Sequence, residues 1–319
     1  MRPFLPALAP LALLVLACAS APPPRRATTA PQVVGRIDDI LQRYTQPIAV
    51  SYHHLGTGLT IEREEHVSFH AASTMKVPVM MALYRAVERG ELSLDQPIPV
   101  KNEFRSIVDG SAYTLDPAED GDPGLYQAVG GTRPLSELIR RMITRSSNLA
   151  TNLLIERIGA SRATDLMREL GAYQIQILRG VEDSKAYTAG LNNLTSAKDL
   201  RIALEALVDG KTFSERSSGE MIEILKAQEL NEKIPAQLPK GIPIAHKTGD
   251  ITGIHHDAAI VFPPNEPPYV LVVLTEGFRD EKEANRVIAE ISRAVWEGRR
   301  AGGEELPRRN PVDSGPVGR

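Results

Sequence analysis

Cysteine is almost missing from this chain of 319 residues: Cys18 stands alone, so no disulfide can close within it. Charge of one sign is missing too. The 37 Lys and Arg against 40 Asp and Glu leave a formal net charge of -3, which gives no positive field to hold a phosphate backbone and argues against nucleic acid as a partner. No apolar run is long enough to cross a bilayer as a permanent helix. There is no internal repeat, and neither a cofactor nor a metal is expected. What remains, 42% hydrophobic and 24% charged residues, describes an ordinary soluble globular protein of one large domain or two interleaved lobes.

The first residues carry an address. Arg2 gives a positive start, Leu11 to Leu16 an apolar core, and small Ala17 precedes Cys18, the order of an export signal. The stretch Val15-Leu16-Ala17-Cys18 resembles a bacterial lipobox, which implies lipidation of Cys18 and a membrane-anchored lipoprotein; the alternative is an ordinary signal cleaved near Ala19 or Ala21. Either reading puts the mature protein outside the cytoplasm, anchored or in the periplasm. Residues 1–18 are thus a leader, 19–32 a flexible Ala-, Pro- and Thr-rich tether, and 299–319 a tail of Gly, Pro and charge. The folded body is expected over 33–298.

Within it, Ile37, Ile40, Leu41 and Tyr44 have helical spacing, and Ile48 to Tyr52 with Leu59 to Ile61 form paired strands around Gly56 to Gly58. A middle helix is opened by Thr132 as cap and Pro134 in the first turn, with Leu135, Leu138, Ile139, Met142 and Ile143 in one apolar stripe. Leu149, Leu153 and Ile158 continue the helical pattern to Gly159. Ser196 with Asp199 forms a capping box for a helix running to Gly210. Strands return at Ile242 to Thr248, Ala258 to Phe262 and Tyr269 to Thr275, before a last helix through Ala284, Val287, Ile288, Ile291 and Val295. The order implies an α/β (α+β) fold: a discontinuous lobe, approximately 33–72 and 211–298, whose sheet is completed by the C-terminal strands, with a helical lobe, approximately 73–210, inserted in it.

Chemistry is concentrated in three short motifs. Ser73-Thr74-Met75-Lys76 puts a hydroxyl and an amine on one helical face, and apolar Met75, Val77, Val79 and Met80 supply the partly dry setting that lowers an amine's pKa enough for it to act as base. Ser146-Ser147-Asn148 and Lys247-Thr248-Gly249 follow in that order. Together they resemble the S-x-x-K, S-D-N and K-T-G set of class A β-lactamases and penicillin-binding proteins, and RMITRSSNLATNLLIERIG from Arg141 to Gly159 is similar to the family's central helix.

The resemblance implies Ser73 as acylated nucleophile, Lys76 as its base, and Ser146 as the group passing a proton to the leaving nitrogen. Asn148 would bind the substrate's acylamino group, and Lys247 and Thr248 its carboxylate, with Gly249 leaving room. The N–H groups of Ser73 and of Asp250 or Ile251 would form the oxyanion hole. Ser147 departs from the usual Asp, at a position whose side chain points away from substrate to support the fold. Arg279 is a candidate for assisting carboxylate binding. Tyr113 falls where the family carries an aromatic at the pocket mouth, or is a core residue. The substrate would be a β-lactam or an acyl-D-Ala-D-Ala peptide, and a monomer is the default.

One departure divides the readings. The family's loop glutamate follows the pattern Arg-x-Glu with an Asn four residues on; here Arg179-Gly180-Val181-Glu182 displaces it by one, and Ala186 stands at the Asn position. Glu182 is either the deacylating base of a β-lactamase or a structural partner of Arg179 or Lys185, which leaves a D,D-carboxypeptidase or esterase with slow turnover. A third option is an inactive lipoprotein binding peptidoglycan or a protein, against which the intact motifs argue. His66 and His70 have helical i, i+4 spacing but no third ligand, His255 and His256 face opposite sides of a strand, and His246 packs near the site.

Overall fold

The computed structural model describes residues 30–299; the expected leader, most of the tether and the tail from 300 on lie outside them. Five antiparallel strands form the main sheet in the order β2-β1-β11-β10-β9. They are β1 (Ile48–His54), β2 (Thr60–Arg63), β9 (Ile244–Ile251), β10 (Ile254–Val261) and β11 (Tyr269–Glu276). The first two strands therefore join a sheet whose other three come from the far end of the chain, so this lobe is discontinuous.

The sheet is covered on both faces, and the period of two along each strand assigns the faces. Val270, Val272 and Leu274 of β11 belong to a core shared with the helical middle. Their neighbours Tyr269, Leu271 and Val273 pack against α1 (Ala30–Leu41) and α9 (Glu281–Gly298) through Val33, Ile37, Val287, Ile288 and Ile291. A strand buried on two sides needs an unbroken apolar run, which the segment Tyr269 to Leu274 supplies.

The helical middle is built from α2 (Lys76–Glu88), α3 (Leu135–Thr144), α4 (Asn148–Ile158), α5 (Ala160–Glu169), α6 (Ser184–Thr188), α7 (Ala197–Glu205) and α8 (Glu215–Lys226), with α7 laid on the sheet. Three two-stranded ribbons tie its loops: β3 (Phe69–His70) with β8 (Leu194–Thr195), β4 (Pro97–Pro99) with β7 (Thr132–Pro134), and β5 (Phe104–Arg105) with β6 (Ala112–Tyr113).

Several boundaries differ from the expectation. α1 starts at Ala30, inside the stretch assigned to the tether, because the buried stripe begins at Val33 rather than Ile37. Thr132 caps nothing: it pairs with Pro99 in the β4–β7 ribbon, and Pro134 is the residue before α3, with no side-chain cap. Ser196 does accept from the Asp199 N–H, but the Asp199 carboxylate takes the N–H groups of Gln174 and Ile175 instead of closing the box. α7 ends at Glu205, short of Gly210.

The stripe on α3 is fully buried. Leu138→Ala is expected to cost about 2–5 kcal/mol in urea unfolding, where exposed Arg140→Ala changes stability by less than about 0.5 kcal/mol.

Candidate active site

Between Ala71 and Tyr84 every residue is buried except Ser73. Ser73 sits in a single 3-10 turn, Ala72–Met75, that leads straight into α2, so Lys76 is the first residue of that helix. The turn is entered through Ala72 at φ 45, a left-handed conformation costly for alanine. Pro78 sits in the first turn of α2, where its missing N–H costs nothing.

The Lys76 amine has no exposure to solvent. It donates to the backbone oxygen of Ser146 at 2.7 Å, to its hydroxyl at 3.1 Å and to Asn148 Oδ1 at 2.9 Å. From the opposite side Lys247 Nζ, also fully buried, reaches the same Ser146 hydroxyl at 3.1 Å and the Thr248 carbonyl at 2.8 Å. Asn148 then passes the chain outward, its Nδ2 donating to Glu182 Oε1 at 2.7 Å. Six groups on four segments thus form one hydrogen-bonded run: Glu182, Asn148, Lys76, Ser146, Lys247 and the Thr248 carbonyl.

Electrostatics follow from burial. Desolvation and the neighbouring Lys247 hold Lys76 well below the ordinary lysine range, against the opposing pull of Asp120 and Glu182. Desolvation also lowers Lys247, to about 7. Burial pushes Glu182 up from the usual carboxylate range, an effect the Asn148 hydrogen bond opposes.

Gly249 is needed for closeness: a Cβ there would lie 3.1 Å from the backbone N of both Ser73 and Thr74. Thr248 Oγ1 beside it is buried and has no hydrogen-bond partner among the described residues. A cleft of about 510 Å³ opens past the turn, lined by His70, Ala72, Asn148, Glu182, Tyr187 and Ile251 among others.

The loop bearing Glu182 is held without the pairs weighed from sequence. Arg179 donates to the carbonyls of Leu191 and Gly180 and to Asn192 Oδ1, and Lys185 pairs with Asp109 at 2.7 Å. Glu182, at φ 61, turns to Asn148 instead. Asn152 of α4 grips the preceding peptide, accepting from Val181 N–H at 2.6 Å and donating to its carbonyl at 3.0 Å. Gly180 fits there because a Cβ would come 2.4 Å from Asn152 Oδ1. Asp183 caps α6 and reaches Ser106 and Ile107, and Asn193 binds the backbone of Leu178 and Arg179.

Of the other candidates, Ser147 is buried and caps α4 by accepting from Ala150 N–H. Tyr113 is half-buried, its hydroxyl donating to the Val181 carbonyl and accepting from Asn152. Arg279 lies exposed between β11 and α9. His66 and His70 do not share a helix: His66 is in an exposed turn and His70 ends β3, because Phe69 and His70 pair with Leu194 and Thr195. His246 bonds Asp257, and His255 bonds Asp250. His256 is kept neutral by burial, its pKa lowered to about 4, while it bridges the His70 carbonyl and the Thr275 N–H.

Sequence reasoning missed Asp120, Asn152 and Asp183. Each acts on backbone groups remote in the chain, and the one local signal was Asp183 standing three residues before Ala186 as a helix cap.

A family model described as the β-lactamase enzyme family matches residues 32–298. A β-lactamase from Streptomyces fradiae is 26% identical over 90% of this chain and 92% of its own length. The structure of PBP-A is similar at 27% identity and a TM-score of 0.72, covering 85% of this chain and 97% of that one. A mutant of PBP-A held as an acyl-enzyme with penicillin G matches at 28% and 0.72, over 86% and 98%. The chain belongs to the β-lactamase enzyme family, and so to a family of hydrolases.

The buried amine gives a pH test. The side chain of Lys247 titrates at 10.5 when unburied and about 7 in the fold. Between these values the unfolded chain holds the extra proton, so stability rises with pH there, and the penalty is full below pH 7. Lys247→Met is expected to exceed the unmutated protein in stability by about 1–4 kcal/mol at pH 7. In denaturant titrations that gap should narrow steadily towards pH 10; a constant gap would contradict the burial of a titrating amine.

Proposed function

We propose that this chain is a serine β-lactamase of class A type, opening the lactam ring through an acyl intermediate on Ser73. The observation that carries the reading is the hydrogen-bonded run from Glu182 to Lys247 beside a serine that is alone in reaching solvent from its turn.

In the first step Lys76, whose dry setting holds its pKa below the ordinary lysine range, takes the Ser73 proton as the hydroxyl oxygen adds to the lactam carbonyl. The N–H groups of Ser73 and of Asp250 or Ile251 stabilise the oxyanion. As the C–N bond breaks, the Ser146 hydroxyl gives its proton to the leaving nitrogen and regains one from Lys76, a transfer supported by its 3.1 Å contact with that amine. Lys247 and the unpartnered Thr248 hydroxyl receive the substrate carboxylate, and Asn148 its acylamino carbonyl. In the second step Glu182 takes a proton from water as the water oxygen adds to the acyl carbon, and the proton returns to Ser73 as the ester breaks. The freedom of Glu182 from Arg179 and Lys185 supports that role.

One observation favours a second reading, a D,D-carboxypeptidase- or esterase-like penicillin-binding hydrolase with slow deacylation. Ala186, at the family's Asn position, is buried and brings no side-chain amide to help hold a water. We further infer from the leader that the protein is exported and lipidated at Cys18, and take a monomer as the default.

With a chromogenic cephalosporin, turnover by the folded body should vanish in Ser73→Ala, and Glu182→Gln should accumulate an acyl adduct by mass while turnover falls about 10²- to 10⁴-fold. A stable adduct on the unmutated protein with little turnover would establish the slow hydrolase instead, and no adduct at all would sink the acyl-serine reading.

A further inference from the structure

α4 delivers Asn148 to the Lys76 amine, and its N-terminus is satisfied from two sources. Ser147 takes the Ala150 N–H at 3.2 Å. The first two amides, Asn148 and Leu149, go to a carboxylate 28 residues or more away: Asp120 Oδ1 accepts from Asn148 N–H at 3.1 Å and Oδ2 from Leu149 N–H at 2.8 Å. An anion at a helix N-terminus is favoured by the exposed N–H groups and the helix dipole, and this one is 7% exposed.

Asp120 is itself fixed. Asp122 N–H donates to Oδ1 at 2.8 Å and the Tyr126 hydroxyl to Oδ2 at 2.9 Å, so both oxygens carry two donors each. Asp122 in turn pairs with Arg141 at 2.7 Å and Arg145 at 3.4 Å. Gly121 lets the segment press on the entry to α4, since a Cβ there would sit 2.1 Å from the Arg145 carbonyl. The residue between Arg145 and α4's cap is Ser146, at φ 58. Asn148 is thus held through its own N–H by this carboxylate, and Ser146 lies in the turn against which Gly121 packs.

We infer that Asp120 is a positioning residue for acyl transfer: it locks the start of α4 so that Ser146 and Asn148 meet the Lys76 amine, and it faces that amine with a fixed negative charge. This deepens the serine-hydrolase reading and rests on it. The charged groups facing Lys76 are Lys247 from β9, Glu182 from its loop and Asp120 from the segment before α3. Burial and Lys247 lower the amine's pKa, whereas Asp120 and Glu182 raise it. Removing the charge of Asp120 therefore lets Lys76 lose its proton at lower pH, even as the lost anchor slows the reaction.

The test is the second-order rate of acylation by penicillin G across pH 5–9 on the unmutated protein, Asp120→Asn and Tyr126→Phe, read as kcat/KM where the protein turns over and as adduct formation by intact mass where it does not. Asp120→Asn is expected to acylate about 10- to 100-fold more slowly, with the acid limb of its profile moved to lower pH. Tyr126→Phe keeps the charge and removes one donor, so about a two- to fivefold loss with an unmoved limb is expected. A merely structural role would slow acylation and leave the limb of Asp120→Asn in place, which overturns the inference, as would rates within twofold of the unmutated protein. If Asp120→Asn does not fold, an unchanged rate in Tyr126→Phe overturns it. Neither turnover nor an adduct on the unmutated protein overturns the serine reading and this inference together; either of them there, with no effect of Asp120→Asn, overturns the inference alone.

Discussion

The structure turns on one buried amine. Lys76 is shut off from water, and an ammonium or amine in that position needs hydrogen-bond partners within the protein. All three that it finds come from Ser146 and Asn148, the two residues flanking the cap of α4. Satisfying Lys76 therefore fixes the start of one helix against the start of another. Lys247 binds the same Ser146 hydroxyl from β9, so the sheet, which is completed only by the last third of the chain, is brought into register with the helical lobe by the same atoms.

The cost of this arrangement is visible in the backbone. Among the described residues five other than glycine have positive φ, and three of them, Ala72, Ser146 and Glu182, belong to the site. Each turns the chain where a regular helix or strand would carry the side chain away from the cleft. Such conformations cost on the order of 1–3 kcal/mol each and persist where packing over-determines them. The determinants are identifiable: Gly249 against Ser73, Gly121 against Arg145, Gly180 against Asn152.

Much of this was legible in the sequence because it depends on short-range pattern. The strands around Gly56 to Gly58, the stripe from Leu135 to Ile143 and the final helix appear where apolar spacing put them, and the three motifs converge on one hydroxyl. What could not be read were contacts made by backbone groups. Thr132 has the chemistry of a cap, yet its backbone is spent on a ribbon with Pro99. Asp120 lies in an acidic, Gly- and Pro-rich stretch that looks like a solvated loop, and its importance comes from two N–H groups that carry no sequence signature. Glu182 stood undecided between partners because the choice rests on where Arg179 and Lys185 find acceptors, at Leu191, Gly180, Asn192 and Asp109.

That division also explains how the loop can depart from the family pattern and still present its glutamate. A loop anchored by a single side-chain pair would lose its shape when one residue is inserted between the arginine and the glutamate. Here Arg179 holds the loop's closing end at Leu191 and Asn192 and its own neighbour Gly180, while the segment next to Glu182 is held by Asn152 from α4 and by Asp183 through Ser106 and Ile107. The arginine and the glutamate are thus supported independently, and their separation in sequence is free to change. The side chain of Glu182 needs only to reach Asn148, which the start of α4 keeps in place whatever the length of the loop.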